Sequence, residues 1–323
     1  MLNFRAKSLI LLGVFFLVAF DAAAQTYPAK VVRLVVPFSP GSGADNIGRI
    51  VAGGMSEVFG QQVIVDNRAG AAGNIGTEMA ARAPHDGHTL LLAIMGHTAN
   101  ASLYRKLSYD LLRDFAPVTQ LATSPAILSV HPSLPVKSVR ELVTLAKARP
   151  GVINYASGGV GTPTFLVGEL FKGQAGIDLQ HVPYRSGGEA LTSIVAGEAS
   201  VYFAPLAPAL PLIQAGRLRA LATTGVKRGG VLGELPTVAE SGYPGFEFGF
   251  WYGFLVPAKT PKQTIAAIRN AAVSALNKPE ISKRMQDLGY IVIGDQPEEF
   301  AQLIKSNIEK WRKIIREKNI TAD

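Results

Sequence analysis

From Val35 to Asp45 the sequence reads Val-Val-Pro-Phe-Ser-Pro-Gly-Ser-Gly-Ala-Asp, a strand that runs into a glycine-rich turn ahead of a helix. The first amide groups of a helix have no acceptor within it, and the helix dipole adds positive potential there, so such a turn suits an anion. Phe38, Ser39, Gly41, Ser42, Gly43 and Asp45 are therefore candidate ligand-binding residues. The two serines add hydroxyl donors, and the two glycines permit close approach of the backbone. The alternative for Asp45 is a plain cap of its helix.

Two further turns repeat the pattern. In Ser157-Gly158-Gly159-Val160-Gly161-Thr162-Pro163, Thr162 is a natural N-cap and Pro163 stands at the first helical position, which makes Ser157, Gly158, Gly161 and Thr162 candidates. In Tyr184-Arg185-Ser186-Gly187-Gly188, a guanidinium able to clamp a carboxylate in bidentate fashion stands at another helix start beside Tyr184. The alternative for Arg185 is solvation at the surface. Met95-Gly96-His97-Thr98 follows an apolar strand and is expected to form a fourth loop at the same edge, with Gly96 and His97 near the ligand.

Catalysis finds little support. There is no G-x-S-x-G elbow, no HExxH and no P-loop Gly-Lys pair. Gly41-Ser42-Gly43, with Asp66 about twenty residues on, follows a dinucleotide fingerprint until Asn46 replaces its third glycine. His85 and His88 flank a turn, while His97, His131 and His181 are scattered, so no metal cluster is expected. No catalytic residue and no cofactor are assigned, and an exported enzyme is the weaker alternative.

The turns need a scaffold, and the chain alternates strands with helices to supply one. Val31–Val36, Gln62–Asp66 and Thr89–Ile94 interleave with helices Asp45–Phe59 and Ile75–Ala83. From Ser138 the alternation resumes with helix Val139–Ala148, strand Val152–Ala156, helix Pro163–Gln174, strand Asp178–Pro183, helix Gly188–Ala196, and strands Ala199–Phe203 and Ala220–Thr224. This pattern argues α/β architecture with parallel strands. Two aromatic, β-branched segments, Phe115–Val130 and Phe246–Pro257, fit strands crossing between two lobes, with a hinge near Leu121–Pro125 and Tyr252–Pro257. Asp295 and Glu298 suggest a capping box for a final helix whose apolar face holds Phe300, Ile304, Ile308, Trp311 and Ile315.

Composition sets the setting. Arg5 and Lys7 precede an apolar run from Leu9 to Phe20, and Ala22 and Ala24 offer an A-x-A cleavage site, so residues 1–24 read as a secretory signal peptide. The remaining chain, about 300 residues, suits two domains. Its 323-residue precursor has no cysteine, which excludes disulfides and thiolate chemistry. The net charge of +8 is spread along the chain without interleaved aromatics, so nucleic acid is not an expected partner.

Pro37–Asp45 and Val65-Asp66-Asn67-Arg68-Ala69-Gly70-Ala71-Ala72-Gly73-Asn74-Ile75-Gly76 resemble the substrate-binding proteins of tripartite tricarboxylate transporters, the Bug-type family. The resemblance continues through Ala83–Leu90, His181–Arg185, Leu235–Gly242, Trp251-Tyr252-Gly253 and Thr260-Pro261. It implies a type II periplasmic binding protein fold, in which two α/β lobes joined by crossover strands hold a ligand cleft between them. The lobes are expected at 27–123 with 254–323, and at 124–253. The resemblance further implies a periplasmic monomer that binds a small organic carboxylate through Phe38–Asp45 and Ser157–Thr162, and that works with membrane permease subunits. A sensor subunit signalling to a membrane kinase uses the same closure and stays open as an alternative. Many relatives carry a histidine where this chain has Phe165 and an aspartate where it has Ala204. Both differences point to a ligand without an amine and with an apolar or aromatic body, packed by Phe38 and Phe165; ordinary core is the alternative for these rings and the favoured reading for Trp251.

Overall fold

The computed structural model describes residues 27–317 and residue 320. The expected signal peptide and its Ala22/Ala24 cleavage site lie outside the described residues.

The first half opens with β1 (Val32–Val36), α1 (Gly43–Phe59), β2 (Val63–Asn67), a 3-10 turn at Ala71–Gly73, α2 (Asn74–Ala81), β3 (Thr89–Ile94) and α3 (Gly96–Leu103). Four of the five β1 residues are buried, as a parallel strand covered on both faces requires. α1 ends at Gly60, whose left-handed φ of 63° releases the chain into β2. Its Ile47, Val51 and Met55 pack fully into the core.

The long β4 (Phe115–Val130) then leads to α4 (Val139–Ala148), β5 (Asn154–Ser157), α5 (Pro163–Ala175), β6 (Gln180–Pro183), α6 (Gly187–Ala196), β7 (Val201–Pro205), α7 (Leu206–Gln214) and β8 (Arg219–Thr223). The chain returns through β9 (Gly249–Pro257), α8 (Lys262–Leu276), α9 (Pro279–Asp287), β10 (Ile291–Val292) and α10 (Pro297–Glu317). Among the described residues, no helix is long and apolar enough to cross a membrane.

The strands lie in the order β2-β1-β3-β9-β4-β7-β5-β6, with β8 and β10 also on β4. β1 runs parallel to β2 and β3, and β5 runs parallel to β6 and β7. The joint between these parallel groups is antiparallel. β4 pairs with β9 from Phe115 to Pro125, then with β7 and β8 from Ala126 to Val130. A single strand of 16 residues therefore belongs to both sheet halves.

α10 closes the first half with Phe300, Ile304, Ile308, Trp311 and Ile315 buried. Its capping differs from the expectation. Glu299 accepts the Gln296 N–H at 2.9 Å, whereas the Asp295 carboxylate accepts the Gln120 N–H at 2.6 Å and ties the helix start to β4. Trp251 is also structural: its ring meets Phe300 edge-on at 5.3 Å and its Nε1 donates to Asn307 at 3.3 Å.

Phe300 reaches this position because residue 253 has no side chain. A Cβ on Gly253 stands 2.3 Å from the Phe300 ring and 2.8 Å from the Thr119 carbonyl oxygen. Gly253→Ala is expected to lower stability by about 1–3 kcal/mol, read from the urea midpoint, through overpacking of a rigid site. An unchanged midpoint contradicts this packing.

Candidate functional site

Three strand-to-helix turns meet at one cavity. In the first, Ser42 caps α1 by accepting the Asp45 N–H at 3.2 Å, so Asp45 is the third helical residue and not the cap. The Asp45 carboxylate accepts from Gly41 N at 2.9 Å, Arg49 Nε at 3.0 Å and Asn67 Nδ2 at 3.0 Å. Burial opposes its charge, but the hydrogen bonds from Arg49, Gly41 and Asn67 outweigh it and hold the carboxyl below its ordinary range. Asp45 thus locks the turn from behind, while Gly41 takes a left-handed φ of 79°. Phe38, Ser39, Gly41, Ser42, Gly43 and Ala44 face the cavity. The Gly43 and Ala44 amides belong to the first helical turn and have no acceptor within it.

The second turn is wired differently from the expected open cradle. Gly158 N–H donates to Thr164 Oγ1 and Gly159 N–H donates to Ser157 Oγ, each at 3.0 Å. These glycine amides are already engaged. Gly158, Thr162, Pro163 and Thr164 reach the cavity, and Thr162 caps α5 by position. Ser157 is fully buried, with its Oγ 2.7 Å from His181 Nε2. Burial pushes the His181 imidazole down to about 4, so it is neutral near pH 7. A Ser-His pair activates a nucleophile only where the hydroxyl can reach a substrate, and here it braces the turn.

In the third turn Ser186 Oγ accepts the Glu189 N–H at 3.2 Å and the Glu189 carboxylate accepts the Arg185 N–H at 3.2 Å. These two bonds set the start of α6. Arg185, Ser186 and Gly187 line the cavity, whereas Tyr184 is half-buried against the core beside it. The turns touch one another. A Cβ on Gly158 stands 2.9 Å from Gly187 N, and one on Gly188 stands 3.7 Å from the Pro40 carbonyl oxygen.

The remaining wall of this cavity, which is partly open to solvent, comes from Pro37, Ala69, Gly70, Ala72, Gly73 and Ile94, and from Tyr202, Pro205, Pro208, Phe250 and Tyr252. Tyr202, Phe250 and Tyr252 are contributors that sequence reasoning missed. Tyr202 Oη donates to the Gly187 carbonyl at 3.2 Å. Tyr252 is 3% exposed, and its Oη lies 2.8 Å from where a Gly43 Cβ would stand. Burial raises its pKa, so it stays a protonated donor at the start of α1.

Several expected site residues lie elsewhere. The segment after β3 is the first turn of α3 and not a loop. Gly96 lies at the seam between the halves, where its Cβ would meet Pro163 Cδ at 2.9 Å. A Cβ on Gly161 would stand 3.1 Å from Asn100 Oδ1 across the same seam. The Tyr104 hydroxyl closes that seam by donating to the Val160 carbonyl at 3.0 Å. His97 is fully buried behind Phe38, its Nδ1 3.0 Å from Ile94 N. Phe165 is buried 4.8 Å from the His181 ring, and Ala204 is fully buried in β7. Neither touches the cavity wall.

Burial pushes His97 from its ordinary 6.5 down to about 4. Between these values the unfolded chain binds a proton that the folded chain does not, so stability falls as pH is lowered from about 6.5 toward about 4. His181 acts in the same direction. Urea melts across this window should lose at most about 3 kcal/mol through His97, and His97→Asn should flatten the decline. An equal slope in the variant contradicts the assignment.

Residues 47–320 match the family described as "Tripartite tricarboxylate transporter family receptor". The chain is similar to a solved "periplasmic transporter" at 38% identity and a TM-score of 0.89, covering 92% of this chain and 100% of that one. It is similar to R. palustris Rpa4515, solved with adipate, at 33% identity and a TM-score of 0.88 over 91% of this chain and 99% of that one. The periplasmic binding protein BugD matches at 30% identity and a TM-score of 0.88, again over 91% and 99%. The α/β fold is thus that of periplasmic solute-binding proteins.

Proposed function

Because the chain belongs to the tripartite tricarboxylate transporter receptor family, we propose that it captures a small organic carboxylate between two lobes in the periplasm and delivers it to membrane permease subunits. The observation that carries this reading is the meeting of three helix starts, at Ser42, Thr162 and Ser186, around one cavity whose lining also includes Arg185 and Tyr252. Each start brings positive potential, and an anion touching α1 and α6 together satisfies amides from both halves. The adipate held by the similar Rpa4515 supports a carboxylate as that anion.

In this reading residues 1–24 direct export and are removed. The lobes are 27–123 with 254–323, and 124–253, and the chain works as a monomer without catalytic turnover. A carboxylate that bridges the lobes favours the closed state by contacts the open state lacks.

A thermal-shift panel of adipate, malate and benzoate on the mature chain tests this. At least one acid should raise apparent stability by about 2.7 kcal/mol at a hundredfold excess over its Kd. A panel without any shift contradicts the reading. Tyr252→Phe should weaken the bound acid by about tenfold or more, as expected for loss of a hydrogen bond to a charged group. Unchanged affinity removes Tyr252 from the ligand contacts.

A further inference from the structure

The charge on the cavity wall is confined to one corner. Among the described residues, Arg185 is the only charged residue on that wall; it is exposed, and it directly precedes the Ser186 cap. Arg185, the start of α6 and the start of α1 therefore share one pole, since the turns that carry them adjoin at Gly188 and Pro40. Tyr252 Oη joins this pole beside Gly43.

Among the described residues, no carboxylate side chain lines the wall. Asp45, the acid within the first turn, is engaged by Gly41, Arg49 and Asn67. A ligand ammonium group buried here has no counter-charge, which is the costly case for a buried ion. The wall also carries hydrocarbon and ring surface from Phe38, Ile94, Pro208 and Phe250, while Pro205 and the Tyr202 ring lie beside the pole, at Gly43 and Gly187. Phe38 packs tightly, since a Cβ on Gly73 would stand 3.0 Å from its Cζ. A second carboxylate, held off from the first by the ligand's own body, faces this apolar side without a cation. Rigid rings offer an uncharged flat body the edge and face contacts that aromatic pairs prefer.

We infer that this cavity selects an aryl monocarboxylate, with one carboxylate at the pole of helix starts and an uncharged ring against Phe38 and Phe250, over dicarboxylates and α-amino acids. The inference rests on the carboxylate-binding reading above and narrows it. It also replaces the basis of the sequence expectation, since Phe165, Ala204 and Trp251 do not form the wall and other rings do.

Calorimetry on the mature chain with benzoate, phenylacetate, adipate, malate and glutamate separates the cases. Benzoate or phenylacetate should bind at least about tenfold tighter than either dicarboxylate, and glutamate should give no heat. Phe250→Ala should weaken the aryl acid by about tenfold through lost ring contact, with circular dichroism and the melting temperature reporting the fold. If that variant unfolds, Phe38→Leu keeps apolar bulk, removes a ring, and should weaken the aryl acid by about threefold or more. Adipate or malate binding as tightly as both aryl acids, or measurable glutamate binding, overturns the aryl selection and leaves carboxylate binding intact. Silence from all five acids overturns both.

Discussion

An amide at the start of a helix needs an acceptor that its own helix cannot supply. Here three starts are turned toward the same space, and their positive ends disfavour one another until an anion lies between them. Much of the surrounding structure keeps that arrangement intact. Asp45, a carboxylate within reach of the first turn, is held by Arg49 and Asn67, so it does not fill the anion's place. The second turn is braced by Ser157 and a neutral His181, and the third by the Ser186 hydroxyl on the Glu189 N–H and the Glu189 carboxylate on the Arg185 N–H.

The starts of α1 and α6 come from the two halves of the sheet, and β4 with β9 explains how they stay in register. β4 carries one continuous backbone through both sheet halves, so the halves share a strand and are not merely tethered. On the facing side the halves meet through small residues. Gly96 and Gly161 leave room for Pro163 and Asn100, and Tyr104 adds one hydrogen bond to the Val160 carbonyl.

Much of this was legible in the sequence because it is local. The crossing strand Phe115–Val130 appears with its expected limits, since its apolar run is bounded by turn residues. The glycine turns and their caps were readable for the same reason, and Ser39, Gly43, Thr162 and Arg185 do line the cavity. The misreadings were tertiary. A strand pattern places Phe250 and Tyr252 on one face of β9 but does not say whether that face meets packed core or a cavity. Nor does spacing show that Thr164 and Ser157 engage the amides of Gly158 and Gly159. Differences from relatives at Phe165 and Ala204 looked like ligand contacts, yet both side chains are spent on the core.

The proposed binding mode places one carboxylate on helix starts from both halves at once. Its most direct test is amide NMR of the 15N-glycine-labelled mature chain during titration with adipate or benzoate, whichever binds tighter. Gly43 and Gly187, at the starts of α1 and α6, should shift together and in proportion to saturation, while Gly53 and Gly245, which are not among the lining residues of the cavity, stay fixed. Saturable binding that moves only one of the two starts, or neither, contradicts it.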